Sequence, residues 1–118
     1  MVAEDEFSVW GVYSVRGAAR LKPRITRVTS LDRFIAKIEI KHHISFDEIK
    51  EVLLNQPLFE FAAEGNIEGE DLYRAIGQTD AGRYLVVFFI DKHRGVALVI
   101  SARDANKRER KHYGRHQN

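Results

Sequence analysis

Cysteine is absent from the 118 residues. That excludes disulfides and thiolate-bound zinc alike, and it suits a reducing cytoplasm, where the protein is expected to reside. Long apolar runs are also missing. The longest, Tyr84–Ile90, falls far short of the roughly 20 residues a membrane-spanning helix needs. The acidic start MVAEDEF has neither a basic n-region nor an apolar h-region, so no secretory signal is expected. There is no Gly-rich phosphate loop and no G-x-S-x-G nucleophile motif. One local absence is the most informative: Asp104–Asn118 (DANKRERKHYGRHQN) contains no Val, Ile, Leu, Met or Phe. A helix here has no aliphatic stripe to bury, so it is expected to be solvated, or to work through its charges.

What is present describes one globular domain. Hydrophobic residues make up 44% and charged residues 31%, enough of each for a core and a polar surface. Net charge is only +2, but it is unevenly placed. Arg16, Arg20, Lys22, Arg24 and Arg27 make the N-terminal arm basic. Glu60, Glu64, Glu68, Glu70 and Asp71 make the middle acidic, which reads as a solvated hairpin loop. Between Arg103 and Arg115 six basic residues face two acidic ones, a local charge of +4. The basic ends point to an anionic partner.

Periodicity supplies the elements. Ser30 is a candidate N-cap for a helix over roughly 31–41, with Leu31, Phe34, Ile35 and Ile38 on one face. Ser45 and Glu48 form a capping box for a second helix, Ile44 and Ile49 occupy its hydrophobic-staple positions, and Pro57 stops it. Strands are expected at Leu58–Ala63, Leu72–Gln78, Tyr84–Ile90 and Val96–Ser101, the third apolar throughout and so buried on both faces. Short links between them imply an antiparallel meander. A closing polar helix starts at Asn106, with Glu109 completing a second capping box. The expected fold is thus α+β: two N-terminal helices, about four antiparallel strands and a C-terminal helix. Phe7–Tyr13 is a candidate earlier strand in an N-terminal extension, residues 1–28, preceding the main domain, residues 29–118.

Several side chains can carry chemistry. On the closing helix Glu109 and Tyr113 are four apart, Arg110 and Tyr113 three apart, and Arg103 leaves the last strand just before them. Two guanidiniums can clamp a phosphate, a carboxylate can take a proton, and a phenol can donate one or stack on a base. The same residues also fit a solvated tail with incidental ion pairs. In Lys41-His42-His43, His42 is either a proton shuttle or a surface histidine. His112 and His116 have i, i+4 spacing, but no third ligand accompanies them and no metal site is expected. His93 reads as a solvated turn residue.

Lys41-His42-His43-Ile44-Ser45-Phe46-Asp47-Glu48 resembles the K-H-G-(I/V)-S-x-E-E helix junction of the BrnT-type toxins of bacterial type II toxin–antitoxin systems, with His43 where the family has glycine. Tyr73–Val87 resembles their central hairpin, in which G-x-x-x-x-G-R leads into an apolar strand. Val99–Arg103 followed by Asn106–Arg110 and Tyr113 resembles their closing I-S-A-R-x-x-(T/N)-x-x-E-R-x-x-Y signature. The resemblance spans about residues 31–115; residues 1–28 have no counterpart in it.

Membership would imply a RelE-like fold and a cytoplasmic endoribonuclease toxin that cleaves RNA without metal or other cofactor. It would also imply a cognate antitoxin, usually a small DNA-binding protein, through which the toxin oligomerises. Carried onto this chain, Arg103 and Arg110 would hold the scissile phosphate and His42 or Glu109 would take the 2′-hydroxyl proton. Tyr113 would position or stack a base, and Lys41, Arg83, Lys107 and Arg108 would contact the RNA backbone. The alternative is a degenerate toxin fold that binds RNA or an antitoxin without cleaving.

Overall fold

The capping box at Ser45 forms as its sequence dictates. The Glu48 amide donates to Ser45 Oγ at 3.1 Å, and the Ser45 amide donates to Glu48 Oε1 at 2.9 Å. Such local signals set most element boundaries in the computed structural model, which describes residues 22–65, 67 and 69–117. In chain order these are β1 (Arg27–Ser30), α1 (Asp32–His42), α2 (Phe46–Leu54), β2 (Leu58–Ala63), β3 (Leu72–Gln78), β4 (Tyr84–Asp91), β5 (Val96–Asp104) and α3 (Lys107–Gln117). The candidate strand Phe7–Tyr13 lies outside the described residues.

The expected four-strand meander is present as β2-β3-β4-β5, all antiparallel, but the sheet has five strands and is mixed. β1 adds to the β5 edge in parallel, Arg27 opposite Val96 and Ser30 opposite Val99, giving the order β1-β5-β4-β3-β2. This corrects the sequence reading at Ser30. Its hydroxyl does not cap α1; it donates to the Val99 carbonyl at 2.7 Å. The N-cap is Leu31, without a side-chain cap, and Asp32 in the first turn complements the helix dipole instead. A four-residue strand whose partner lies 69 residues away leaves no periodic trace of its own.

Strand alternation gives the sheet two buried faces. Leu85, Val87 and Phe89 of β4 point to one face and pack with Ile38 of α1, Ile44 between the helices, and Ile49, Val52 and Leu53 of α2. Val86 points to the other face and joins Leu58, Ile76 and Tyr113. The last of these corrects the view of the closing helix as polar all round: α3 is pinned by one aromatic, Tyr113, only 7% exposed. The acidic middle is corrected in part. Glu60 lies in β2, within the strand expected at Leu58–Ala63, but Asp71 is 7% exposed rather than solvated.

Two glycines shape the β3–β4 hairpin, Gly77 within β3 and Gly82 in the turn. A Cβ on Gly77 would sit 3.2 Å from Val52 Cγ1 and 3.1 Å from Pro57 Cβ, so its absence lets α2 approach the sheet. Gly82 has φ +94°, a left-handed conformation that delivers Arg83 to the start of β4.

Candidate functional site

β5 runs three residues further than its apolar pattern suggests, to Asp104, so Arg103 lies within the strand. A bulge decides where it points. Phe89 pairs with Val99 but Phe88 pairs with Ser101, leaving Ile100 as an extra residue. Before the bulge, Ala97 and Val99 face the α1/α2 core; after it, Ala102 does. One inserted residue inverts the alternation, and Arg103 emerges on the α3 face, opposite Val86.

There it meets Glu109. The Arg103 Nη1 and Nη2 groups donate to the two Glu109 carboxylate oxygens, both at 2.9 Å. Asn106 caps α3 as expected: the Glu109 amide donates to Asn106 Oδ1 and the Asn106 amide donates to Glu109 Oε1, each at 2.8 Å. Arg74 of β3 adds an Nη1 contact to Glu109 Oε2 at 3.4 Å. Glu109 is therefore a buried carboxylate with both oxygens engaged. The Arg103 hydrogen bonds, against the opposing effect of burial, hold its pKa below the ordinary glutamate value, with help from the Asn106 amide and the charges of Arg103 and Arg74. Reciprocally, Glu109 raises the pKa of Arg103.

The cluster continues past Arg74. Its Nε donates to Glu60 Oε1 at 2.6 Å, and His112 Nε2 lies 2.8 Å from Glu60 Oε2. Burial pushes the Glu60 carboxyl up, but the hydrogen bonds from Arg74 and His112 outweigh it and leave the pKa lowered. Arg103, Glu109, Arg74 and Glu60 thus form one chain of alternating charge contributed by β5, α3, β3 and β2, with His112 bonded at its Glu60 end. Arg103 also lies 5.7 Å over the Phe88 ring, and Arg110 lies 5.9 Å over Tyr84. Tyr84 in turn meets Tyr113 edge-to-face at 6.1 Å. Burial, with the neighbouring Tyr84, raises the Tyr113 pKa.

The other residues singled out from sequence fall elsewhere. Lys107, Arg108 and Arg110 are exposed on α3. Lys41 and His42 end α1 and line a cleft against Ile100 and Ser101 of β5. His43 adopts φ +56° as the left-handed C-cap, the conformation a glycine takes most easily. Arg83 is a joint between elements. Its Nε and Nη2 grip Asp104 at 2.9 and 3.2 Å, Nη2 and Nη1 donate to the His42 and His43 carbonyls, and Nη1 reaches Glu48 at 3.4 Å. That arrangement closes the C-terminus of α1 and leaves no guanidinium hydrogen free. The Arg83 hydrogen bond is the main cause lowering the Asp104 pKa; burial opposes it, and Arg83's charge and nearby His42 reinforce it. Asp104 follows Arg103 on the opposite face of β5, so His42 lies away from the α3 cluster. The ring nitrogen of His93 contacts the Gly69 carbonyl, so this turn histidine is not simply solvated.

Arg74, Glu60 and His112 were not among the site candidates from sequence. Arg74 shares the strand face of Ile76, and His112 lies one helical turn after Glu109. The pattern carries those hints, but only the register Glu60–Arg74–Phe88–Ser101 across the sheet joins them. Among the described residues no group of three or more His, Cys, Asp or Glu side chains is arranged to hold a metal ion, and no helix is long and apolar enough to cross a membrane.

A family model described as the ribonuclease toxin BrnT of type II toxin–antitoxin systems matches residues 35–109. The chain belongs to the BrnT family. The matched span takes in α1 through the first turn of α3, and so includes Arg74, Arg103 and Glu109 but ends before Arg110, His112 and Tyr113. The fold is similar to the crystal structure of the Brucella abortus ribonuclease toxin BrnT, with a TM-score of 0.51 and 18% identity, over 70% of this chain and 99% of that one. A comparison with curated proteins finds no match. The BrnT architecture is α+β, here three helices on a five-stranded mixed sheet among the described residues.

Proposed function

We propose that this BrnT-family chain is an endoribonuclease toxin that cleaves RNA without a metal ion and is neutralised by a cognate antitoxin. The observation that carries the reading is Arg103: the β5 bulge presents it on the α3 face, where a buried carboxylate orients it from within the family-matched span. The mechanism needs a hydrolase without cofactor to move one proton and neutralise one developing charge. The RNA 2′-oxygen attacks the adjacent phosphorus, the bond to the 5′-oxygen breaks, and a cyclic phosphate and a 5′-hydroxyl result. Arg103 holds a non-bridging oxygen and stabilises the added charge. Arg110, seated over Tyr84, supplies a second cation. Lys107 and Arg108 contact the flanking backbone, and Lys41 extends the basic surface at the end of α1.

Glu109 serves this reaction best as the group that orients Arg103. Its oxygens are already engaged and its pKa is lowered, which makes it a weak acceptor for a hydroxyl proton. Tyr113, buried under α3, holds the helix and the neighbouring Tyr84 in place. Arg83 binds no RNA in this scheme because all its donors are used within the fold. His42 acts from the cleft beside α1, where it can contact RNA. The toxin domain takes in β1, whose first residue pairs with Val96, and the N-terminal extension precedes that strand.

The test is digestion of RNA by purified protein with EDTA present, alongside growth on expression. Wild type should cleave and arrest growth. Arg103→Ala, with its fold retained, should cleave about 10²–10³-fold more slowly. Salt-sensitive RNA binding without cleavage by wild type would instead establish a binding module.

A further inference from the structure

The scheme above lacks a proton acceptor on the α3 face, and one stands at the end of the charge chain. We propose that His112 is the general base of this cleavage and that Glu60 is its positioning residue, an inference that rests on the ribonuclease reading. His112 is half-exposed, 46% by side chain, with Nε2 2.8 Å from Glu60 Oε2. A carboxylate only accepts, so Nε2 carries the hydrogen in the neutral ring, and Nδ1 keeps the lone pair. This is the tautomer a base requires. Glu60 is itself fixed on its other oxygen by Arg74 Nε at 2.6 Å, so the imidazole is oriented by a carboxylate that cannot rotate freely.

Arg74 ties this pair to the phosphate site. Its guanidinium bonds Glu60 through Nε and Glu109 through Nη1, and Glu109 bonds Arg103. The imidazole therefore stands beside one guanidinium of a two-arginine cluster, the arrangement that phosphoryl transfer by a 2′-hydroxyl needs: cations for the phosphate oxygens and an acceptor next to them. His112 Nδ1 takes the 2′-hydroxyl proton as the 2′-oxygen–phosphorus bond forms. The phosphorus–5′-oxygen bond breaks, and the leaving oxygen is protonated by water. The imidazolium so formed faces Glu60 and Arg74 from the sheet and, by helical spacing, Arg108, Glu109, Arg115 and His116 on its own helix, and Glu60 offsets its charge. Of the i, i+4 pair His112 and His116, the first thus has a use that involves no metal.

The experiment measures RNA cleavage by wild type, Arg103→Ala, His112→Ala, His112→Gln and Glu60→Gln across pH, with folding checked by circular dichroism. His112→Gln should lose about 10²–10⁴-fold and the acid limb of the pH–rate profile. Added imidazole should restore part of the His112→Ala rate. Glu60→Gln should lose about 10–100-fold while keeping the acid limb, because the base remains but is misoriented. If wild type cleaves and Arg103→Ala does not, while both His112 variants keep wild-type rate and profile, the base assignment is overturned and the ribonuclease reading stands. A folded His112→Ala that loses activity but gains nothing from imidazole overturns it too, leaving the Glu60 pair a structural contact. A wild type that cleaves no RNA overturns both readings.

Discussion

Replacing Glu109 with glutamine removes one negative charge from beneath two guanidiniums and leaves the side-chain volume almost unchanged. The carboxylate accepts two 2.9 Å bonds from Arg103, a 3.4 Å contact from Arg74 and a 2.8 Å bond from the Asn106 amide. The amide can keep the cap bond but only one good bond to Arg103. Stranding a charge by removing its partner from a fully buried pair costs about 3–5 kcal/mol. Here Glu109 is 8% exposed by side chain but Arg103 and Arg74 are 37% and 33% exposed, so water can solvate the freed guanidiniums. The expected loss is about 2–3 kcal/mol at neutral pH, or about 8–12 °C in Tm at roughly 4 °C per kcal/mol. The sign with pH follows from the lowered pKa. The unfolded carboxyl titrates near 4.5 and the folded one below it, so its contribution is whole above that value and is lost as pH falls through the folded pKa. Urea denaturation of wild type and Glu109→Gln from neutral pH to about pH 3 should show the gap closing in that window. A gap within about 0.5 kcal/mol at neutral pH, or one that persists undiminished in acid, refutes the reasoning.

Tyr113→Ala should destabilise by about 3–5 kcal/mol and Tyr113→Phe by much less, since the ring alone anchors α3 on Leu58, Ile76 and Val86; the helix should then fray first in hydrogen exchange. Arg83→Lys should cost about 1–3 kcal/mol in urea denaturation, because one ammonium cannot span Asp104, Glu48 and the α1 carbonyls together. Gly82→Ala should cost about 1 kcal/mol or more by the same measurement, as its φ of +94° strains any residue with a Cβ.

Much of the fold was legible because its signals are local. Both capping boxes, the Ile44–Ile49 staple, the Pro57 stop and the two apolar strands each lie within a few residues, and each appears where the pattern puts it. β1 was not legible because four residues pair with a strand 69 positions away. The site divides along the same line. Asn106 and Glu109 stand close in the chain and meet as their spacing implies, whereas Arg103 meets Glu109 only because the β5 bulge turns it to that face. Arg74, Glu60 and His112 join them only through sheet register, and the part Arg83 plays in the joint between α1, α2 and β5 likewise depends on residues far from it in the chain.

The closing helix shows the division most plainly. Its start, its cap and its basic face follow from Asn106, Glu109 and the run of Lys and Arg, since these are matters of backbone hydrogen bonding and charge along a few turns. Its apolar seat follows from Tyr113 joining Val86, Ile76 and Leu58 on the sheet, and that Arg103 reaches it follows from one extra residue, Ile100, in β5. Side-chain period in a strand is two, so a single bulge moves every later residue to the other face. Only the register of β4 against β5 decides where that bulge falls.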